Sequence, residues 1–262
     1  MQYSQSEFDL SVVIPCYNEA GRLPRTLART ITFLATKPGR HEIVVVSDGS
    51  TDATVEETMK AFQSLPDNVH GKWFGYAPNA GKGKAVKFGM RQASGNRILF
   101  MDADYAVPLE DLVRAEALLD RGFDIAIGSR AVHDTKIVEA QSFVRNRIAK
   151  VFGFIQRNYL GLRLRDTQCG FKLFTREAAR TIFSRVKLSS VIFDGEVLWL
   201  AKKMNLTVSE FPVEWTHDPD SRITYNFIKS FKVLRDMLSI PFLHLRRTEV
   251  PVPERREVRV AG

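Results

Sequence analysis

The sequence is poor in cysteine, which excludes the types of site that need several thiols. Cys16 and Cys169 are its two cysteines among 262 residues, and they lie far apart in the chain. Two such thiols alone provide neither a disulfide framework nor a thiolate site for zinc or an iron–sulfur cluster. A chain of this length buries enough surface to fold around a large core without covalent cross-links.

Long apolar runs are also missing. No stretch approaches the roughly 18–20 apolar residues that a membrane-spanning helix needs. The opening residues, MQYSQSEFDL, contain neither a basic flank nor an apolar segment, so we expect no secretory signal and a cytoplasmic protein.

Two common nucleotide-binding motifs are absent as well. After the first apolar run, residues 15–21 read PCYNEAG and do not supply the G-x-G-x-x-G fingerprint of dinucleotide sites. Residues 79–84, NAGKGK, lack the spacing and the hydroxyl of the phosphate loop found in ATPases. NAD-dependent oxidation and P-loop ATP hydrolysis are therefore disfavoured.

The charge balance is basic, with 38 Lys and Arg residues against 30 Asp and Glu residues and a formal net charge of +8. Such a charge favours an anionic partner, which can be a phosphorylated metabolite, a membrane surface or a nucleic acid. A nucleic-acid module would need exposed aromatic residues among basic ones on a recognisable fold, and acidic residues at the strand ends would repel its phosphates. We therefore expect no nucleic acid among the partners.

The first 130 residues alternate between two patterns. Short apolar runs rich in β-branched residues predict strands at 10–15, 42–47, 72–76, 97–101 and 123–128. Amphipathic stretches predict helices between these strands at 22–34, at 51–65, from the Gly-Lys repeat up to Gly95, and at 109–119. Strands separated by crossover helices indicate a mostly parallel α/β sheet with helices on both faces.

After Arg130 this alternation ends. Residues 143–160 form a helix-like stretch, and residues 142–165 contain six basic side chains and no acidic one. The later patterns predict a loop with a strand, two helices, a strand, and an amphipathic helix closed by Pro241, at 166–174, 176–186, 194–204, 207–215 and 225–239. Residues 246–262 mix charges with prolines and lack apolar periodicity, so we expect a disordered tail.

Acidic residues follow several of the predicted strands. In a parallel sheet, ligands bind beyond the carboxyl ends of the strands, and Asp48, Asp102 and Asp104 lie at such ends. Residues i and i+2 of an extended segment point the same way, so Asp102 and Asp104 can converge and would repel each other without a cation. Mg²⁺ and Mn²⁺ prefer oxygen ligands of this kind. A solvated turn is the alternative, and the buried strand before the pair favours the metal.

Six segments occur in the order typical of one enzyme family. They read VVIPCYNEAGRL, VVVSDGSTDAT, NAGKGKAVKFGM, ILFMDADYAVP, IAIGSR and DTQCGFKLF. Together they resemble the successive motifs of the family 2 inverting glycosyltransferases, and they are most similar to the members that glycosylate polyprenyl phosphates. Within that group the glucosyltransferases of dolichyl phosphate are most similar, and the mannosyltransferases come next. The resemblance runs from about Leu10 to Asn226.

This resemblance implies a glycosyltransferase-A fold, an α/β fold with a mostly parallel central sheet flanked by helices, here followed by C-terminal amphipathic helices. We expect residues 1–245 to form a single catalytic domain. In it, residues 1–130 would bind the nucleotide sugar and residues 131–245 would bind the acceptor, while 246–262 would be the disordered tail.

The resemblance also implies a donor site. Asp48 matches the residue that hydrogen-bonds the base, since a carboxylate can accept from the imide N–H of uracil. Lys82 and Lys84 suit a diphosphate or sugar contact at a helix start, and simple turn or surface roles stay open for all three residues. The implied nucleotide-sugar set is Pro15, Tyr17, Asn18, Glu19, Asp48, Gly49, Ser50, Lys82, Lys84, Asp102, Ala103, Asp104 and Arg222.

The implied metal ligands are Asp102 and Asp104. Mannosyl members of the family have a glutamine shortly after the second aspartate, whereas this chain continues with Tyr105, Ala106 and Val107. This departure leaves phosphate oxygens and water to complete the shell of Mg²⁺ or Mn²⁺.

For the acceptor phosphate, the resemblance points to Arg130, Arg145, Asn146 and Lys172. Guanidinium groups bind phosphate oxygens in pairs, which is the chemical reason for arginine at such positions. A solvated helix face remains open for Arg145. The implied catalytic residues are Asp104, Arg130, Asp166 and Gln168, and Asp194 and Glu196 could serve near the reacting centre instead.

The expected reaction is the transfer of a hexose, favoured to be glucose from UDP-glucose, to dolichyl or a related polyprenyl phosphate with inversion at the anomeric carbon. Such an acceptor needs no strong base, because its second pKa is about 6 and it is already anionic at neutral pH. Other UDP- or GDP-linked sugars, mannose included, stay open. So does the hydroxyl of a soluble glycan or protein as acceptor, which would need Asp194 or Glu196 as base.

A polyprenyl acceptor requires access to a bilayer surface. Apolar and basic residues are interleaved in two stretches, which predicts peripheral binding to the cytosolic face of a membrane. An ordinary helix that faces the core is the alternative for each stretch. The apolar residues are Phe143, Phe152, Phe154, Ile155, Tyr159 and Leu160 in the first stretch, and Phe227, Phe231, Leu234, Leu238, Phe242, Leu243 and Leu245 in the second.

Overall fold

A computed structural model describes residues 6–139, 153–216 and 227–245 of the chain. Its main feature is a seven-stranded sheet with the strand order β3-β2-β1-β4-β7-β5-β8, beside a two-stranded sheet that pairs β6 with β9. The strands are β1 (Leu10–Cys16), β2 (His41–Asp48), β3 (Val69–Tyr76), β4 (Arg97–Met101), β5 (Ile125–Ser129), β6 (Lys136–Glu139), β7 (Phe171–Thr175), β8 (Val208–Pro212) and β9 (Glu214–Thr216).

Helices connect most of these strands. They are α1 (Leu23–Thr36), α2 (Thr54–Phe62), α3 (Lys82–Gln92), α4 (Leu112–Asp120), α5 (described over 153–160), α6 (Arg176–Phe183), α7 (Phe193–Lys203) and α8 (Phe227–Leu243), and a 3₁₀ turn at Leu109–Asp111 precedes α4. Within the described residues, no helix combines the length and the hydropathy that crossing a bilayer requires.

The central strands are apolar along their length because helices cover both faces of the sheet. Every residue of β1 and β2 is buried, as is typical of parallel sheets with helices on both sides. One core cluster joins the sheet to α3, α6 and α7, and the other joins it to α1 and α4. The predicted mostly parallel sheet flanked by helices is confirmed.

Strand β7 is the exception to parallel pairing in the large sheet. It runs antiparallel between β4 and β5, with Phe171 opposite Met101. The segment 166–170, which precedes β7, therefore lies at the same edge of the sheet as the carboxyl ends of β4 and β5. This insertion brings residues far apart in sequence to one edge.

The predictions for the second half were wrong in three places. The single strand predicted at 207–215 is two strands in different sheets, because Pro212 has no N–H with which to extend the ladder. The last helix continues through Pro241 to Leu243, and burial of the neighbouring Ile240 in the core offsets the lost backbone hydrogen bond. Leu160, expected on a membrane-facing surface, is buried in the core.

Some predictions fall outside the described residues. These concern the site residues Arg145, Asn146 and Arg222, the apolar residues Phe143 and Phe152, the polar loop after residue 216, and the tail 246–262. The side chains of Phe227 and Phe231 are likewise not described.

Candidate active site

Two carboxylates follow β4 at the edge of the sheet. The backbone N–H of Asp102 donates to the carbonyl oxygen of Gly170 at 3.0 Å, which ties the end of β4 to the segment before β7. A Cβ atom at Gly170 would lie 2.1 Å from Oδ2 of Asp102, so glycine leaves the space that this carboxylate occupies. The N–H of Ala106 donates to Oδ1 of Asp104 at 3.1 Å.

Burial and the neighbouring Asp102 disfavour the negative charge of Asp104. Burial, and then the negative charge of Asp102, raise the pKa of Asp104 to about 6. A divalent cation fits such a pair, because it relieves the repulsion and carboxylate oxygens are its preferred ligands. Among the residues that the structure describes, no third His, Cys, Asp or Glu side chain joins them to form a metal-binding group.

Lys82 lies against this acidic pair. It is the first residue of α3, and its Nζ is 2.6 Å from Oδ1 of Asp102. Burial alone would lower the pKa of Lys82, but the carboxylates of Asp102 and then Asp194 raise it above its ordinary value. Lys84 differs, because its exposed side chain places Nζ 4.6 Å from the centre of the Tyr76 ring.

The loop before α3 is held from two sides. Gly81 has a φ of 103°, a backbone conformation that residues with a side chain rarely adopt. A Cβ atom there would lie 2.3 Å from the carbonyl oxygen of Ser189. The same oxygen accepts from the N–H of Gly83 at 2.8 Å. These contacts fix the point from which Lys82 extends.

Asp48 holds the other side of that loop. Its buried carboxylate accepts from the N–H groups of Ala80 at 2.8 Å and Gly81 at 2.9 Å, and from Nδ2 of Asn79 at 3.0 Å. The sequence predicted a contact with the base for Asp48. The structure adds a second task, since the same carboxylate fixes the loop that carries Lys82.

The turns after β1 and β2 form one rim. Asn18 donates its backbone N–H to Oγ of Ser50 at 3.0 Å, and Oδ1 of Asn18 accepts from the N–H of Thr51 at 2.8 Å. Glu19 forms an ion pair with Arg22 at 2.6 Å. Three other predicted donor residues belong to the same two segments: Pro15 is buried in β1, Tyr17 is exposed after it, and Gly49 precedes Ser50. Ala103 follows β4, where it is buried between Asp102 and Asp104 in the sequence.

Arg130 and Asp166 form the second charged group at this edge. Nε of Arg130 lies 2.7 Å from Oδ2 of Asp166, and Nη2 donates to Oδ1 at 3.1 Å. Burial would raise the pKa of Asp166, but the guanidinium of Arg130 lowers it to about 2. The guanidinium carbon lies 5.5 Å from the centre of the Trp215 ring.

Gln168 is tied to the same group and to α5. Its N–H donates to Oδ1 of Asp166 at 3.0 Å, and its Nε2 donates to Oε1 of Gln156 at 3.2 Å. Thr167 also donates to Oε1 of Gln156, at 2.6 Å. Gln156 is fully buried, and the sequence analysis did not identify it because its partners lie in a different segment of the chain.

Three further candidate residues are engaged inside the fold. Lys172 is 1% exposed, and its Nζ lies 2.6 Å from Oδ1 of Asp194. This burial argues against the acceptor-phosphate contact expected of Lys172, since its ammonium is already paired. Glu196, also buried, accepts from the N–H groups of Lys187 and Leu188 at 2.8 Å each.

The two cysteines are not placed for nucleophilic chemistry. Cys16 and Cys169 are both buried, and burial raises the pKa of each thiol to about 12. A thiol with so high a pKa carries almost no thiolate at neutral pH.

Comparison with known proteins decides the family. The family model described as Glycosyl transferase family 2 matches residues 11–183, which contain the acidic pair, Lys82, Arg130 and Asp166. The chain belongs to glycosyl transferase family 2. This confirms the family resemblance and the glycosyltransferase activity class predicted from the sequence.

Curated relatives match most of the chain. Dolichyl-phosphate beta-glucosyltransferase of Drosophila melanogaster is 38% identical over 227 residues, 82% of this chain and 69% of the relative. The proteins of the same name from Saccharomyces cerevisiae and Homo sapiens are 37% and 34% identical, over 91% and 90% of this chain and 76% of each relative.

Similar solved structures show the fold. Glucosyl-3-phosphoglycerate synthase from Mycobacterium tuberculosis, in complex with Mn²⁺, UDP and glucosyl-3-phosphoglycerate, is similar with a TM-score of 0.62 and 18% identity, covering 90% of this chain and 79% of that one. Staphylococcus aureus TarS with UDP-GlcNAc gives a TM-score of 0.57 and 20% identity, covering 92% and 68%. The family 2 chain thus has the glycosyltransferase-A fold.

Proposed function

We propose that this chain transfers glucose from UDP-glucose to the phosphate of dolichyl or a related polyprenyl phosphate, with inversion at the anomeric carbon. The observation that carries the proposal is the meeting of Asp102, Asp104 and Lys82 at one sheet edge. The relatives named above, which are 34–38% identical over most of the chain, support the donor and the acceptor.

Residues 1–130 are proposed to bind the nucleotide sugar. The rim formed by the turns after β1 and β2 would hold the nucleoside, and Asp48 would fix the loop that presents Lys82. Lys82 would then bind the diphosphate through its ammonium. Arg222, outside the described residues, remains a proposed contact with the same diphosphate.

Asp102 and Asp104 are proposed to hold Mg²⁺ or Mn²⁺. The Mycobacterium tuberculosis neighbour was solved with Mn²⁺ and with Mg²⁺, each together with UDP. When bound, the cation would supply positive charge that stabilises the departing diphosphate. Lys82 adds a fixed positive charge of this chain at the same place.

Residues 131–245 are proposed to bind the acceptor, with Arg130 at the boundary. A guanidinium offers five N–H donors, and the side chain of Asp166 takes two of them, so the rest can grip the acceptor phosphate. Asp166 and Gln168 would keep Arg130 in place, and Arg145 and Asn146 are proposed further contacts.

The carboxylates considered as bases are occupied, which favours a phosphate acceptor over a hydroxyl. Asp194 is paired with Lys172, and Glu196 is bound by two backbone N–H groups. A phosphate acceptor attacks as an anion without help, since its second pKa is about 6. Positioning by Arg130 then replaces proton abstraction.

We further propose peripheral attachment to the cytosolic face of a membrane. Exposed apolar side chains lie on α5, on α8 and just after α8, and a 2.8 Å hydrogen bond from the Tyr159 hydroxyl to the carbonyl oxygen of Leu238 joins the two helices. These side chains are proposed to form one membrane-binding surface. Its apolar members are Phe154, Ile155, Tyr159, Leu234, Leu238, Phe242 and Leu245. The exposed Lys232 and Arg235 beside it favour anionic lipid.

Sedimentation with vesicles tests this attachment. A Phe242→Ser, Leu245→Ser double variant should lose binding to anionic vesicles that the wild type retains. Val113→Ser removes an exposed apolar side chain from α4 instead and should leave binding unchanged. Equal binding by both variants would overturn the proposed surface.

The reaction is tested by a transfer assay with a donor panel. Purified protein is incubated with Mn²⁺, a short polyprenyl phosphate and UDP-glucose, UDP-N-acetylglucosamine or GDP-mannose, and lipid-linked sugar is measured by mass spectrometry. We expect a hexosyl lipid from UDP-glucose, lost in Asp104→Asn and kept in Asp120→Asn, whose carboxylate is exposed on α4. No product from any donor would overturn the proposed acceptor, and product from GDP-mannose alone would overturn the donor.

A further inference from the structure

The ammonium of Lys82 already occupies a cation position beside Asp102. Its Nζ lies 2.6 Å from Oδ1 of Asp102, and the side chain of each residue is about one-third exposed, at 33% and 29%. A divalent cation bound by this carboxylate would lie close to that ammonium, and two positive charges a few ångströms apart repel each other at a partly buried site. Lys82 and the cation therefore compete for Asp102.

The structure also limits where Lys82 can move. Its backbone is fixed because Gly81 and Gly83 pack against the carbonyl oxygen of Ser189. Its Nζ lies 5.5 Å from the centre of the Phe100 ring. The side chain of Lys82 can therefore change its conformation, but the first turn of α3 cannot move away from Asp102 and Asp104.

Asp194 carries a second negative charge that acts on Lys82. Nζ of Lys172 is 5.8 Å from the centre of the same Phe100 ring and forms the buried 2.6 Å ion pair with Asp194. Asp194 also interacts electrostatically with Lys82, so its negative charge acts on both lysines. Asp194 offers partial compensation to an ammonium that leaves Asp102.

We propose that Lys82 is an internal counter-ion of Asp102, which a divalent cation must displace, so that the nucleotide-free protein binds the cation weakly. The inference rests on the metal site of the proposed function. An arriving nucleoside diphosphate supplies oxygen ligands for the cation and a new anionic partner for Lys82. The binding of cation and diphosphate is therefore coupled, and by linkage each raises the affinity for the other by the same factor.

Cation binding without nucleotide tests this coupling apart from any enzymatic activity. Mn²⁺ affinity is measured by electron paramagnetic resonance of free Mn²⁺, for the wild type and four variants. Lys82→Met keeps the length of the side chain but removes its charge, and it should bind Mn²⁺ about tenfold more tightly than the wild type. Lys82→Arg keeps the charge and should show no such gain.

Lys87→Met is the matched control. Lys87 lies five residues further along the same helix, and its ammonium donates to the carbonyl oxygen of Val186 at 2.6 Å. Its loss should leave nucleotide-free Mn²⁺ affinity unchanged, and adding UDP should tighten Mn²⁺ binding in the wild type more than in Lys82→Met. Circular dichroism spectra confirm that each variant is folded.

The outcomes separate this inference from the metal site itself. If Lys82→Met and the wild type bind Mn²⁺ equally, or if Lys87→Met gains as much, the counter-ion role is overturned while the site stands. Adding Asp102→Asn to Lys82→Met should abolish the gained affinity. If no variant binds Mn²⁺ with or without UDP, the metal site fails and the inference fails with it.

Discussion

The carboxylate of Asp166 accepts three hydrogen bonds from Arg130: from Nε at 2.7 Å, from Nη2 at 3.1 Å and from the backbone N–H at 3.0 Å. Both ends of this pair are themselves fixed. Arg130 follows β5, and the N–H of Asp166 donates to Oε1 of Glu210 in β8 at 2.8 Å. A guanidinium held in this way keeps one orientation, which a residue that positions a phosphate nucleophile needs.

Asp166→Asn should therefore impair acceptor use more than donor use. The asparagine keeps the shape but removes the charge that orients Arg130, so we expect kcat/KM for polyprenyl phosphate to fall roughly tenfold to a hundredfold. The KM for UDP-glucose should change by less than about twofold. Steady-state kinetics with each substrate varied in turn measures both values.

The exposed Asp134→Asn is a control, because its partner His133 is exposed as well. Equal losses for both substrates in Asp166→Asn would contradict the positioning role.

The pKa of Asp166, near 2, lies below its ordinary value of 3.8. Its stabilising contribution is therefore complete above about pH 4 and is lost as the pH falls through 2.

The raised pKa of Asp104 predicts a pH dependence of ligand binding. Burial and Asp102 hold that pKa at about 6, and a proton on Asp104 removes a ligand charge from the cation. The rise in Tm produced by Mn²⁺ with UDP should therefore shrink as the pH falls below 6, which differential scanning fluorimetry from pH 5 to pH 8 measures.

Without ligands the sign reverses. The folded state binds this proton more tightly than the unfolded chain, so Asp104 destabilises the protein above pH 6 and this cost disappears as the pH falls toward 4. Asp104→Asn should remove both effects. A ligand-induced Tm shift that is the same at the two ends of the pH range would contradict the raised pKa.

Gly170→Ala should disable the acidic pair without touching a charged residue. The added methyl would lie 2.1 Å from Oδ2 of Asp102, so the carboxylate must turn away. We expect the Tm shift with Mn²⁺ and UDP to be lost, while the far-ultraviolet circular dichroism spectrum stays that of the wild type. Gly153→Ala is the control, since its methyl would meet Nη1 of the flexible Arg157 side chain at 3.2 Å.

If Gly170→Ala keeps the full Mn²⁺ and UDP response, the close contact with Asp102 is unimportant for binding. A loss in both glycine variants would likewise contradict the assignment, because the two methyl groups meet different parts of the chain.

The first half of the fold followed from local patterns, whereas contacts between distant segments did not. The five strands predicted before Arg130 exist, because each apolar run carries its own signal. The position of β7 between β4 and β5 had no such signal, since pairing Met101 with Phe171 depends on residues 70 positions apart. The same limit hid the Lys172–Asp194 pair, whose members are 22 positions apart in the chain, and the sequence predicted an acceptor contact for Lys172 instead.

The candidate site shows the same division. Strand ends and short motifs in the sequence were enough to predict Asp102, Asp104, Lys82 and Arg130, because each of these residues lies in a short local pattern. The support from Gln156 was not found, since it acts through Thr167 and Gln168 across a tertiary contact. That contact joins α5 to the loop before β7.

The opposite edge of the sheet carries a buried carboxylate that serves stability. Glu42, near the start of β2, is fully buried, pairs with Lys72 at 2.5 Å and accepts from Oγ of Ser11. Glu42→Gln should lower the free energy of unfolding by about 2–3 kcal/mol, because it breaks a pair with one buried member. Urea denaturation measures this loss, and transfer activity of the folded variant should be retained.

Glu57→Gln is the comparison for Glu42→Gln, since Glu57 faces the exposed Lys60 at 4.0 Å and should cost less than about 0.5 kcal/mol. Burial alone would raise the pKa of Glu42, but Lys72 and Ser11 lower it below its ordinary value of 4.5. Its contribution is therefore present above that value and is lost as the pH falls. Similar losses in both variants would contradict a special role for Glu42.

The choice between a phosphate and a hydroxyl nucleophile is measured most directly by offering the two acceptors side by side. Wild-type protein with UDP-glucose and Mn²⁺ is given a polyprenyl phosphate or the polyprenol of the same chain length, and the products are analysed by mass spectrometry and nuclear magnetic resonance. We predict a β-linked glucosyl phosphate from the first acceptor and no glucoside from the second. Glucosylation of the polyprenol, or no transfer to the phosphate, would contradict the proposed reaction.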